Sequence, residues 1–93
     1  MSVTVSVTSV IQSAVNGQRQ FTAEGDTLRE LIEHVDRAYP GFAQRVMDER
    51  GELLRFVNIY LNDEDVRYLK GKETPLEDGD IVSFLPALAG GAA

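Results

Sequence analysis

The stretch "DTLRELIEHVDRAYPG", residues 26–41, decides how the chain folds, because the spacing of its apolar residues changes there from two to three and four. Leu28, Leu31, Ile32, Val35 and Tyr39 fall on one face of a helix, while Arg29, Glu30, Glu33 and Arg37 take the others. Thr27 and Glu30 have the spacing of a capping box. In that arrangement the hydroxyl accepts a free amide of the first turn and the carboxylate reaches back, and Asp26 adds negative charge at the positive dipole end. Pro40-Gly41 stops the helix. A short second turn over residues 42–47 is expected to tuck Phe42 and Val46 beneath it.

On the N-terminal side, Val3, Val5 and Val7 alternate with Ser2, Thr4, Ser6 and Thr8, the period of a half-buried strand. Asn16-Gly17 tolerates the positive φ angles of a tight turn, and residues 18–23 alternate again, so the chain is expected to open with a hairpin. On the C-terminal side, residues 48–52 read as a polar loop, and residues 55–61 alternate with Val57, Ile59 and Leu61 as their core set. Residues 62–65 turn the chain, residues 66–69 are expected as a short strand, and Thr74-Pro75-Leu76 as a corner. Residues 81–85 form the last strand, ended by Pro86, which has no amide to donate. Hairpin, helix, two strands, corner and final strand make an α+β, β-grasp (ubiquitin-like) arrangement. Its mixed sheet of four to five strands packs on one main helix, with the last strand parallel to the first. Residues 1–87 are expected as this domain and residues 88–93 as a flexible tail.

Ninety-three residues with 43% apolar content allow one core and exclude a second domain. The absence of cysteine removes disulfides, thiolate metal sites and a cysteine nucleophile, and fits a cytoplasmic protein. The N-terminus lacks the basic start and apolar run of a secretory signal, and no apolar run approaches the ~20 residues that a membrane span needs. A net charge of −6, with two lysines and seven scattered arginines, argues against a phosphate-backbone ligand and for a protein partner.

No motif carries catalysis. Asp63-Glu64-Asp65 lacks the shaped, oxygen-rich loop of a cation site and reads as a solvated turn. His34, the only imidazole, lies one step off the apolar stripe, has no partnered nucleophile and is expected at a rim. Gly71 and Gly79 read as turn glycines, not as a phosphate loop. More informative are Phe56, Tyr60, Tyr68 and Leu85. If Val57, Ile59 and Leu61 face the helix, Phe56, Asn58 and Tyr60 face away, and aromatics on an uncovered sheet face define either a docking surface or ordinary scattered surface apolar residues.

The chain closes on "ALAGGAA", residues 87–93, and a Gly-Gly pair without Cβ atoms can thread a narrow channel. With "FVNIYLNDEDVR" at 56–67 and "IVSFLPALAGG" at 81–91, residues 1–91 resemble the MoaD/ThiS family of ubiquitin-like sulfur carriers, most like the CysO type that supplies sulfur for cysteine synthesis in actinobacteria. The resemblance implies a carrier and not an enzyme, with no bound cofactor and no metal. A ubiquitin-activating-type adenylyltransferase would use ATP to adenylate the carboxylate of Gly91, with Gly90 keeping the tail slender. A sulfur donor would then displace AMP, and the thiocarboxylate would pass its sulfur to a synthase, for the CysO type a PLP-dependent cysteine synthase. Molybdopterin, thiamin and thiosugar pathways use carriers of the same shape.

Ala92-Ala93 depart from the family pattern, since they turn the Gly91 carbonyl into an amide and put the carboxylate about 7 Å further along at roughly 3.3–3.6 Å per residue. Removal of both alanines, implied through a JAMM-type metallopeptidase, is the favoured reading; alanines foreign to the native chain, or a copy that no longer carries sulfur, are the others. Tyr60, Phe56, Leu85 and Leu88 are the expected partner-binding residues. Two other functions fit: a ubiquitin-like modifier joined to lysines through Gly91, and a β-grasp interaction module that is never activated.

Overall fold

The structure is a computed structural model that describes residues 2–86. Five strands form one mixed sheet in the order β2-β1-β5-β3-β4. They are β1 (Ser2–Val7), β2 (Gln20–Glu24), β3 (Val57–Leu61), β4 (Glu64–Asp65) and β5 (Ile81–Pro86). Helix α1 (Leu28–Ala38) and the short α2 (Phe42–Val46) complete the α+β architecture. β5 lies between β1 and β3, parallel to the first and antiparallel to the second, as the expected arrangement requires.

Alternation sets the two faces of the sheet. Val3, Val5, Val7, Val57, Ile59, Val82 and Phe84 are buried against Leu28, Leu31, Ile32 and Val35 of α1. Phe42 from α2 meets Phe84 edge-on, ring centroids 5.3 Å apart, so the second turn does pack beneath the first helix. Leu61 is only partly buried, at the edge of the core.

α1 begins at Thr27, whose Oγ1 accepts the Glu30 amide. The Glu30 carboxylate does reach back, but to the Asp26 amide at 3.1 Å, one residue before the cap. Beyond α1, Gly41 adopts φ 104°, a left-handed conformation that lets the chain reverse into α2.

Two local expectations are corrected. The β1–β2 pair is antiparallel, but Asn16-Gly17 is no two-residue hairpin turn: a 3-10 helix, Ser9–Val15, fills the connection, and Asn16 (φ 58°) and Gly17 (φ 79°) end it. Ile11 and Val15 explain why, since both are buried and recur four residues apart, which gives the connection an apolar face for the core. Residues 66–69 are not a strand. The fourth strand is the two-residue β4, and Val66–Tyr68 form a 3-10 turn capped by Asp65, whose carboxylate accepts the Arg67 amide. That bond bends the chain away from the ladder while Val66 stays buried.

Candidate functional site

β5 delivers the chain to its C-terminal segment from the middle of the sheet. Pro86 is its last residue and lies opposite Val57, at the end where β1 finishes and β3 starts. Leu85 pairs with Asn58, and Ser83 with Tyr60. Since Val57, Ile59, Val82 and Phe84 are buried, Asn58, Tyr60, Ser83 and Leu85 share the opposite, helix-free face. Tyr60 and Leu85 are therefore diagonal neighbours on adjacent strands, both half-buried, as the alternation predicts. Phe56 is 63% exposed in the turn just before β3. The other expected site residues, Leu88, Gly90, Gly91, Ala92 and Ala93, lie outside the described residues.

Sequence reading missed the polar centre of this face. Asp65 pairs with Tyr60 across β3 and β4 and points the same way. Its carboxylate takes Arg67 Nε at 3.2 Å and Nη2 at 2.9 Å, and the same Nη2 donates to Asn58 Oδ1 at 2.6 Å. These bonds, first among them those from Arg67, hold the Asp65 carboxyl below the usual carboxylate range. Reciprocally, the hydrogen bond to Asp65 and its charge push the Arg67 guanidinium further up, so it stays charged. Tyr68 is 84% exposed beside it. The signal in the sequence was the Asp65-x-Arg67 spacing, which a carboxylate that caps a turn can close into a ring.

His34 sits at a rim, as expected, and is half-buried there. Its Nδ1 is 2.9 Å from the Glu24 amide and 3.0 Å from the Glu24 carbonyl, so the ring ties α1 to the outer edge of β2. Gly71 and Gly79 have φ angles of 55° and 90° and serve as turn glycines. Among the described residues no group of three or more His, Cys, Asp or Glu side chains is arranged for a metal ion, and no helix is long and apolar enough to cross a membrane.

A helix-backed mixed sheet whose central strand leads into the C-terminal segment defines a ubiquitin-like β-grasp protein. Within that class the profile of the ThiS family matches residues 7–91, and the chain belongs to the ThiS family. It is 47% identical over 93 residues to the sulfur carrier protein CysO of Mycobacterium tuberculosis, covering 98% of this chain and 100% of that one. The crystal structure of the M. tuberculosis CysO superposes with a TM-score of 0.87 at 46% identity, covering 91% of this chain and 98% of that one. CysO in the Amycolatopsis orientalis BexX/CysO complex is 39% identical with a TM-score of 0.86, over 91% of this chain and 94% of that one. Small archaeal modifier protein 3 of Haloferax volcanii is 42% identical over 67 residues, 72% of this chain and 67% of that one.

Proposed function

We propose that this protein is a sulfur carrier of the CysO type, a substrate for other enzymes and not a catalyst. Residues 1–87 act as the grip and residues 88–93 as the handle. The observation that carries this reading is the likeness to the mycobacterial carrier, which runs over 98% of the chain. The exit of the chain from a central strand supports it, because Gly91 is five residues past Pro86 and can reach about 17 Å from the fold at 3.3–3.6 Å per residue.

A carboxylate is inert at neutral pH until one oxygen becomes a good leaving group. Loading therefore starts with removal of Ala92 and Ala93 by a JAMM-type metallopeptidase, whose hydrolysis of the Gly91–Ala92 amide frees the Gly91 carboxylate. A ubiquitin-activating-type adenylyltransferase then transfers AMP from ATP to that carboxylate and releases pyrophosphate. Sulfide displaces AMP and leaves a thiocarboxylate, a soft nucleophile that delivers sulfur to a PLP-dependent cysteine synthase. Gly90 gives the handle its narrow cross-section. The face bearing Tyr60 and Leu85 receives the partners, and Phe56 and Leu88 are the further residues proposed to bind them. The absence of cysteine leaves no thiol on the same chain to compete for the activated carbonyl.

The test is intact-mass analysis after incubation with the peptidase, the adenylyltransferase, ATP and sulfide. The expected product has lost two alanines and exchanged one oxygen for sulfur. A mass that never changes rejects the reading. Similarity to the Haloferax modifier favours a second one, in which Gly91 is joined to lysine amines; it predicts higher-mass protein adducts in the same experiment instead of the sulfur exchange.

A further inference from the structure

The motif "NDEDVR" at residues 62–67 takes no part in the loading chemistry, yet its Asp65 and Arg67 join Asn58 in a polar cluster on the helix-free face of the sheet. Arg67 is held there by three side-chain hydrogen bonds that it donates, two to Asp65 and one to Asn58. Its side chain nevertheless remains 51% exposed, whereas that of Asp65 is 13% exposed. Among the described residues no hydrogen bond engages Nη1, so the free edge of a fixed, planar donor faces solvent. A guanidinium fixed in advance loses less freedom when it forms a further bond, and its remaining edge suits a carboxylate oxygen. Tyr60 and Leu85 share this face and Tyr68 follows Arg67 in the chain, the aromatic and arginine composition in which binding energy concentrates at interfaces.

Several carboxylates gather at one end of the sheet. At the end where β1 and β5 begin, the Ser2 amide donates to Asp78, Glu24 pairs with Ser2, the Asp26 amide meets Glu30, and Asp80 accepts from Asn62. Carboxylates thus crowd the end remote from Pro86. At the opposite end, where β5 finishes, the Arg19 carbonyl accepts the Val7 amide, and the exposed Arg55 lies two residues before Val57. An acidic surface is therefore repelled least by the end from which β5 exits, where Arg19 and Arg55 lie away from these carboxylates.

We infer that Arg67, fixed by Asp65 and Asn58, is the polar anchor of the docking face and that it receives a carboxylate from an acidic surface of the adenylating enzyme. The inference rests on the carrier reading and adds to it the charge of the partner and the residue that meets it.

The test is calorimetric titration of the full chain against the purified adenylating enzyme of the same organism, at low and high salt. Wild-type affinity should fall as salt rises. Arg67→Ala should bind about ten- to thirtyfold more weakly and lose part of that salt dependence, which a merely structural role would not alter. Arg67→Lys keeps the charge and a bond to Asp65 but not the fork, and should fall between the two. Asn58→Ala, which leaves the charge but loosens the guanidinium, should weaken binding less than Arg67→Ala. Arg29→Ala, which removes an exposed cation at the carboxylate-rich end, should leave affinity unchanged. Thermal unfolding of each variant keeps loss of fold apart from loss of contact. Equal affinity of wild type, Arg67→Ala and Arg67→Lys, with wild type still adenylated after trimming, overturns this inference alone. A wild type that neither binds nor is adenylated overturns the carrier reading with it.

Discussion

Gly25 shows how little room the passage from β2 into α1 leaves. A Cβ at this position would stand 2.5 Å from the Leu31 amide nitrogen and 2.8 Å from its Cα, both backbone atoms of the helix. Neither can yield without moving the turn that carries Leu28, Leu31 and Ile32 into the core. Gly25→Ala should therefore destabilise the fold by about 1–3 kcal/mol, read as a lower urea midpoint with an unchanged m-value. Nothing in the sequence separates Gly25 from the turn glycines Gly71 and Gly79, because the constraint comes from a helix that folds back over it. Arg67 is a similar case: its type and number were plain, but its partner Asn58 is nine residues away and meets it only across β3 and β4.

At the scale of elements, the start of α1 depends on a corner far along the chain. The Leu28 amide, one of the four that a helix leaves free, donates to the Thr74 carbonyl at 3.0 Å, and Thr27 bridges to Pro75. Thr74 is the one buried polar residue among those described; its Oγ1 donates to the Gly71 carbonyl and accepts the Lys70 amide. Thr74→Val keeps the shape and removes both bonds. It should cost about 1–3 kcal/mol in denaturant unfolding, with helical circular dichroism unchanged below the transition. Elements with a long period were legible in the sequence: α1, β1, β3 and β5 all follow their spacing. The stretch at 66–69 was not, because four residues are too few to tell a strand from a turn and the Asp65 cap decided the matter.

The whole molecule is held by one core, so its response to pH is a global property. Two carboxyls titrate below their ordinary range: Asp48, chiefly through the Glu52 amide, and Asp65, chiefly through the Arg67 side chain. A carboxyl depressed in the fold contributes stability that is complete above its unfolded value, near 4, and lost as pH falls through the lower folded value. The urea midpoint should therefore drop on acidification from about pH 5 to about pH 2, and Asp48→Asn with Asp65→Asn should reduce that drop. At neutral pH the double variant should be less stable than wild type. A pH profile of equal steepness in both proteins would assign the acid sensitivity to other carboxylates.

By itself the sequence determined the helix, the alternating strands, their order and the Gly-Gly ending, because each is written in the spacing or identity of neighbouring residues. Only the tertiary structure decided which residues meet: Asn58 with Arg67, Thr74 with Leu28, and Ser2 with Asp78. Those meetings depend on strand register and on the return of β5 beside β1, which join positions up to 76 residues apart and leave no periodic mark on the chain.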